Sequence, residues 1–266
     1  MTAVALASAR GAPGVTITVL ALAGAWPAGR RLVVVEADPA GGELSCRFGL
    51  AAEPNVVTLA ADARGGLGIE GLLAHAQHLA GRPGAEVVVA PVDARQTGVA
   101  LSVLCRSGLP ALLAGVDDLD VLVDLGRLAP ESPALELFAA ASVPVLVARA
   151  ELAQAAHLRQ RIAWLGGRAE VGLAVVGEGR WPAAELARSV GAAGVVGVLP
   201  DDPRAAAALG GGMSARGLTR SALSAAARAM ADRLVAGVEA APVEHNLRPV
   251  ETPPAPAEIG GGRRWD

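Results

Sequence analysis

The sequence comprises 266 residues, 52% of them hydrophobic, and carries a formal net charge of −3 at pH 7. This length and apolar content suffice for a substantial core, whereas the slightly acidic balance argues against sequence-independent binding of nucleic acid. All 23 basic residues are arginines, so the chain contains no lysine for a phosphate-binding loop.

The N-terminal stretch predicts neither a secretory leader nor a membrane span. Its first apolar run, residues 3–7, is soon interrupted by Arg10 and Pro13, whereas a bilayer requires about 20 consecutive apolar residues. Cys46 and Cys105 lack the spacing of a metal site and are expected to be reduced thiols. We therefore expect a cytoplasmic protein.

A glycine-rich turn, ARGAPGVTIT at residues 9–18, follows this first predicted strand. Such a turn offers backbone N–H groups and a helix N-terminus to an anion, and Thr16 stands where a hydroxyl would meet magnesium. The phosphate-loop pattern G-x-x-x-x-G-K-[ST] is incomplete because Ala9 replaces its first glycine and Val15 its lysine. Loss of that charge weakens phosphate binding by about one to three orders of magnitude. The alternative is a strand-to-helix turn that never held phosphate.

Carboxylates follow the second and fourth apolar runs. Glu36 and Asp38 end the run at residues 31–38 on the same side of the predicted strand, which suits them to hold a magnesium-bound or attacking water. Asp38 is alternatively a loop acid that caps the next turn. The fourth run, residues 120–126, places Asp124 at the position of a magnesium-orienting carboxylate.

The remaining runs complete an alternating pattern. Further apolar runs at 86–92, 143–149, 171–177 and 194–200 are separated by helical segments rich in alanine and leucine. Strands that are apolar throughout are covered by helices on both faces. The sequence therefore predicts an α/β fold, a doubly wound, mostly parallel sheet of seven to eight strands with helices on both faces, with ligands at the carboxyl ends of the strands.

Two segments close the chain. Residues 215–238 predict a last packed helix, whose apolar face comprises Leu223, Ala227, Met230, Leu234 and Val238. Residues 241–266 are rich in proline, glycine and charge and are predicted to be a disordered tail. The predicted organisation is one nucleotide-binding domain at 1–240 and the tail at 241–266.

The glycine turn, the two acid positions and the segment VGVLPDDPRAAAALGGG at 197–212 together resemble the MinD/ParA branch of the P-loop NTPases. This resemblance spans residues 1–240 and implies ATP and magnesium as ligands. It implies that Asp38 orients the attacking water and that Thr16, Asp38 and Asp124 lie at the magnesium. The nucleotide contacts that it implies are Arg10, Gly11, Ala12, Pro13, Gly14, Val15, Thr16, Ile17, Pro200 and Asp202.

Within that branch the chain is most similar to the CpaE/TadZ group, whose loops often read like A-R-G-G-V-G-A-S-T and also lack the lysine. Arg10 falls where many relatives carry a lysine that reaches the nucleotide of a dimer partner; it is alternatively a solvated loop arginine. The resemblance implies a homodimer that docks on a pilus or secretion ATPase, with hydrolysis weak or absent because of Val15. Membrane association is expected to be indirect, since the tail cannot form a basic amphipathic helix.

Two other functions stay open on the sequence. A working ATPase of the ParA type in chromosome partitioning would use Arg10 in place of the lysine, but the charge balance supplies no DNA-binding surface. A Rossmann-type dinucleotide enzyme would use Glu36 to hold a ribose about 20 residues past the glycines, although the turn lacks a complete G-x-G-x-x-G.

Overall fold

A computed structural model describes residues 2–11, 13–79, 85–115, 118–165, 167–179, 181–211 and 220–239. In these ranges the chain forms one eight-stranded sheet with helices on both faces. The predicted contact Ala12 and the predicted tail at 241–266 lie outside the described residues.

Seven of the eight strands correspond to the seven predicted apolar runs. The strands are β1 Ala3–Ser8, β2 Leu32–Glu36, β3 Gln77–His78, β4 Ala85–Val88, β5 Asp120–Arg127, β6 Val143–Ala148, β7 Gly172–Val176 and β8 Gly194–Leu199. The order across the sheet is β3-β4-β2-β5-β1-β6-β7-β8, and only the β3–β4 pair is antiparallel. The predicted fold class is confirmed.

The helices alternate with the strands along the chain. They are α1 Val15–Ala25, α2 Leu44–Phe48, α3 Val56–Asp62, α4 Ile69–Ala74, α5 Ala94–Arg106, α6 Leu109–Gly115, α7 Pro133–Ala140, α8 Leu152–Leu165, α9 Ala183–Val190, α10 Pro203–Leu209 and α11 Ala222–Glu239, with a 3₁₀ turn at Ala63–Gly65. No single helix in the described ranges is long and apolar enough to cross a membrane; α5 and α6 meet that test only jointly, as a pair bent by 62°.

Two apolar clusters hold the helices against the sheet. One cluster joins one sheet face to α1, α10 and α11, and the other joins the opposite face to the helices from α3 to α9. The predicted face of the last helix is buried at Leu223, Ala227, Met230 and Leu234, while the side chain of Val238 is not among the described ones.

The central strands bring the predicted site residues to one edge of the sheet. All six residues of β1 are buried, as a strand covered on both faces requires. In the parallel register Asp124 of β5 lies beside Leu6 of β1 on one side and Glu36 of β2 on the other. The carboxyl ends of β1, β2 and β5 therefore meet at the position where open α/β sheets bind ligands.

Candidate functional site

The turn after β1 enters α1 through a glycine with a left-handed backbone. Gly14 is the N-cap residue of α1 with φ 95°, and no side chain in the described part of the chain caps this helix. Gly11 also has a positive φ, 71°, and is exposed. Because the first N–H groups of a helix have no partner within the helix, the start of α1 presents donors and a positive dipole end to an anion.

Val15, at the lysine position, contributes no charge to this turn. It is 6% exposed and belongs to the apolar cluster that packs α1 on the sheet. The charged residue of the turn, Arg10, is exposed and places its Nη1 atom 3.3 Å from Nε2 of His157 in α8. In the single chain, the guanidinium of Arg10 therefore contacts a helix of its own subunit.

Asp124 is buried beside the start of α1. It is 2% exposed, accepts a hydrogen bond from the N–H of Gly126 at 3.1 Å, and lies close to the hydroxyl of Thr16. Burial, together with the charges of Glu36 and Asp38, raises the pKa of Asp124 to about 7, against the lowering effects of the Thr16 hydroxyl and the Gly126 N–H. A cation beside Thr16 would therefore compete with a proton for this carboxylate.

Asp38, two residues after β2, lies close to Asp124. Its Oδ1 accepts the N–H of Ala40 at 2.8 Å, and its carboxylate lies against Gly126, where the Cβ of any other residue would overlap it. Burial raises the pKa of Asp38, and the charge of Glu43 adds to this rise, while the Ala40 hydrogen bond and the charge of Arg127 oppose it. Asp38 and Asp124 therefore both lie beside Gly126.

Glu36 does not face the turn as a ligand for water or magnesium, and that prediction is wrong. The residue is 2% exposed, and its carboxylate accepts the N–H groups of Glu43 at 2.7 Å, Leu44 at 3.0 Å and Ala90 at 2.8 Å. These bonds tie β2 to the start of α2 and to the segment after β4. The same bonds occupy the acceptor that a dinucleotide ribose would need.

The side-chain oxygens of Thr16, Asp38 and Asp124 are the type of ligand that a hard cation such as magnesium prefers. In the described ranges, no group of three or more His, Cys, Asp or Glu side chains is arranged to hold a metal ion by itself. Thr16, Asp38 and Asp124 nevertheless offer one hydroxyl and two carboxylates, and Mg²⁺ binds through one or two carboxylates together with waters and phosphate oxygens. The donor set therefore fits magnesium that arrives with a phosphate group.

A cavity of about 120 Å³ opens next to the turn, at the carboxyl ends of β7 and β8. The predicted residues Pro13, Gly14, Ile17, Pro200 and Asp202 all line it. The carboxylate of Asp202 also accepts the N–H of Ala205 at 2.9 Å and so caps α10. Since small-molecule pockets measure roughly 300–1,000 Å³, this cavity is too small to enclose a whole nucleotide.

Two charged residues beside this cavity escape sequence reasoning. Arg149 follows β6 and Asp201 follows β8, and their side chains form an ion pair of 2.9 Å across the end of β7. The pair passes Gly177, where a Cβ would come within 3.3 Å of Nη1 of Arg149. Arg149 directly follows an apolar run, and this position could have marked it as a candidate site residue. Its pairing with Asp201 could not be predicted, because it depends on the order of the strands in the sheet.

Solved structures that share this fold are P-loop ATPases of the MinD/ParA family, so the chain has the MinD/ParA-type fold. MinD from Pyrococcus horikoshii OT3, complexed with Mg-ADP, matches with a TM-score of 0.70 and 18% identity over 90% of this chain and 98% of its own. A ParA family ATPase from Chlorobium tepidum TLS matches with a TM-score of 0.67 and 14% identity over 88% and 98%. An ATP complex of a Cyanothece McdA variant matches with a TM-score of 0.63 and 17% identity over 88% and 96%.

These likenesses concern the fold. No protein-family model and no curated protein sequence matches the chain. The strand order separates it from the classic dinucleotide-binding order 3-2-1-4-5-6, in which the first two strands are neighbours, because β5 lies between β1 and β2. Together with the occupied carboxylate of Glu36, this order argues against the Rossmann-type alternative.

Proposed function

We propose that this chain is a nucleotide-binding regulatory protein of the MinD/ParA type whose phosphate-binding turn is incomplete. Mg-ATP favours a homodimer, the dimer docks on a partner, and hydrolysis is weak or absent. The observation that carries this proposal is that the carboxylates of Asp38 and Asp124 meet at Gly126, close to Thr16 at the uncapped N-terminus of α1.

The proposed setting is the cytoplasm, with recruitment to the inner face of the membrane by a protein partner. The likeness of ARGAPGVTIT to CpaE/TadZ loops supports a pilus or secretion ATPase as that partner, and a division apparatus is the wider possibility. The MinC:MinD complex from Aquifex aeolicus contains a chain with the same fold at 14% identity and a TM-score of 0.64. That complex is a precedent for a protein partner on this fold.

Each residue at the candidate site has a separate role in this proposal. The first N–H groups of α1 bind phosphate oxygens, Thr16 and Asp124 hold the magnesium, and Asp38 accepts a hydrogen bond from a water. Bound Mg-ATP supplies the γ-phosphate that distinguishes the ATP state from the ADP state. The residues of the 120 Å³ cavity contact the nucleoside.

Val15 sets the strength of this site. A loop lysine normally reaches the β- and γ-phosphates, and a point charge there contributes on the order of a few kcal/mol. Val15 is instead part of the apolar core. We therefore expect weak ATP binding and little turnover.

A titration with ATP, ADP and NAD in the presence of magnesium tests the proposal. Val15→Lys adds the missing charge, and Val15→Met is the uncharged control of similar length. We expect weak ATP binding by the parent, binding about tenfold tighter or more by Val15→Lys, and no gain by Val15→Met. Thermal melts accompany both variants, because position 15 is buried.

The outcome that overturns the proposal is equally specific. If a folded Val15→Lys protein gains no affinity for ATP and the parent binds NAD instead, the turn is not a phosphate cradle for a triphosphate. If the parent binds none of the three nucleotides and the variant gains nothing, the turn is an ordinary connection between a strand and a helix.

A working ATPase is the second candidate, and the half-buried carboxylate of Asp38 beside Gly126 supports it. ATP turnover by the parent that Asp38→Ala abolishes would establish this activity. Turnover that survives Asp38→Ala would point to a contaminating enzyme.

A further inference from the structure

A second and larger cavity lies away from the candidate nucleotide site, between α3 and α5. This surface, called here the α3–α5 groove, encloses about 430 Å³. Its apolar lining comprises Val57, Ala60 and Ala61 of α3 and Val99, Ala100 and Val103 of α5. Val99 is 66% exposed, so a large part of a β-branched apolar side chain meets solvent at the groove.

The shape of the groove suits a helix. On each of its two helices the lining residues recur three and four positions apart, which keeps them on one face. Part of the lining is alanine, and these small side chains leave room between α3 and α5 for the side chains of a third helix. An amphipathic helix lying in a hydrophobic groove is a recurring mode of protein recognition.

The edges of the groove are basic. Arg64 and Arg95 line it, both are exposed, and neither guanidinium has an ion pair or hydrogen bond with another residue in the described ranges. The two nearby acids do not line the groove. Asp93 accepts the N–H groups of residues 95 and 96 at the start of α5, and Asp62 lies 3.2 Å from Nε2 of His75. The charged side chains that line the groove are therefore both arginines.

We propose that the α3–α5 groove binds an acidic amphipathic helix of a partner protein. Carboxylates flanking the apolar face of that helix would pair with Arg64 and Arg95, while its apolar side chains would cover Val99. A second copy of this chain is disfavoured, because a two-fold interface places the same patch on both subunits and would oppose the two arginine pairs. This inference goes beyond the proposed function, since it requires no nucleotide.

The groove is also connected to the loop that carries Asp38. The carbonyl of Val89 accepts the N–H of Val56 at the start of α3, and the carbonyl of Pro91 accepts the hydroxyl of Thr97 in α5. The same Pro91 carbonyl accepts the N–H of Gly42, in the loop after β2. A helix bound in the groove would therefore rest on elements that share hydrogen bonds with the Asp38 loop.

The test uses two synthetic probes with the same apolar face. One is a dye-labelled amphipathic peptide of about 18 residues, long enough to form helix in water, with glutamates flanking a leucine stripe. The other carries lysine at each glutamate position. Fluorescence anisotropy with the full chain should show saturable binding of the acidic peptide, about tenfold tighter than the basic one.

Variants locate the binding. The double variant Arg64→Glu/Arg95→Glu should reverse the preference between the two peptides, whereas Arg188→Glu/Arg228→Glu makes the same charge change on exposed arginines elsewhere and should leave it unchanged. Val99→Glu should weaken the acidic peptide about tenfold or more. The matched control Val198→Glu, at a valine that is 53% exposed, should not.

Several outcomes would overturn the inference. The inference is wrong if the acidic peptide does not bind saturably or if both peptides bind with equal affinity. It is also wrong if the test and control variants lose the same amount of peptide affinity. A dimer of the protein alone that Val99→Glu dissolves would assign the groove to a second copy. All these readouts are taken without nucleotide, so their failure is separate from failure of the nucleotide proposal.

Discussion

Gly126 serves both carboxylates of the candidate site. Its N–H group donates to Asp124, and its missing side chain leaves room for the carboxylate of Asp38. Its φ of 56° lies in the left-handed region, where a residue with a Cβ is strained. One glycine therefore permits two buried or half-buried acids to lie side by side.

Gly126→Ala should lower the free energy of unfolding by about 3 kcal/mol and displace Asp38, because the added methyl group combines backbone strain with an overlap. Urea unfolding measures the first effect and Mg-ATP titration the second. Gly29→Ala is the control, since Gly29 has φ 87° with open space around the position of a Cβ, and should cost about 1 kcal/mol. Equal costs for the two variants would show that the overlap has no energetic effect.

At the level of elements, Asp120 joins three segments at the amino end of the sheet. Its carboxylate, 2% exposed, accepts the N–H of Thr2 beside β1 at 2.9 Å. It also accepts Nε1 of Trp26 after α1 at 2.8 Å and Nη2 of Arg30 before β2 at 2.8 Å. Burial alone would raise the pKa of Asp120, but the hydrogen bonds from Arg30, Trp26 and Thr2 outweigh it and hold the pKa below the ordinary 3.8.

Because the folded-state pKa is depressed, Asp120 stabilises the protein above the unfolded pKa, and this contribution is lost as the pH falls through the lower folded-state pKa. Asp120→Asn should lower the free energy of unfolding by about 2 kcal/mol at neutral pH. This loss is smaller than that for a fully buried ion pair, because the Arg30 side chain is 28% exposed and water screens its charge. Urea unfolding at pH 7 and near pH 3 should show this difference shrinking with acid. Asp201→Asn, which removes an exposed ion pair, should change stability much less at either pH, and a difference that grows with acid would contradict the assignment.

The proposed dimer depends on the arrangement of the entire subunit. The turn, Asp38 and Asp124 come from three distant parts of the chain and meet at one edge of the sheet, where Arg10 reaches His157 of its own subunit. In such a dimer, an anionic phosphate would offer the guanidinium of Arg10 a stronger partner than the imidazole of His157. We therefore expect Arg10 to exchange His157 for the partner's nucleotide when a dimer forms.

Arg10→Ala should accordingly weaken dimerisation in saturating Mg-ATP about tenfold or more, the loss expected for a charge-assisted contact with phosphate. Sedimentation velocity over a range of protein concentrations measures this. Arg188→Ala, at an exposed arginine of α9, is the control. A parent protein that stays monomeric in saturating Mg-ATP would rule out the proposed dimer.

The features with a local signal were predictable. Seven strands and the buried face of α11 follow from apolar runs and helical spacing, because burial on both faces demands apolar residues at each position. The same holds for the turn at Gly14. The strand β3 had no such signal, since Gln77 and His78 are polar and form only two residues of strand.

Glu36 shows where local reasoning fails. Glu36 lies beside Asp124 on the neighbouring strand, but its hydrogen-bond donors lie 7, 8 and 54 residues away. The pairing of Arg149 with Asp201, 52 residues apart, has the same character. Neither set of partners can be read from spacing, because each depends on which strands are neighbours.

The sequence by itself determined that this chain builds an apolar, mostly parallel sheet carrying a glycine turn without lysine, since strand burial and the absence of a residue type are properties of local composition. Only the tertiary structure decided which acids remain available at the turn and which are consumed inside the fold. The physical reason is that a buried carboxylate is satisfied by whatever N–H groups the neighbouring strands and loops bring to it, and those neighbours are set by the order of the sheet.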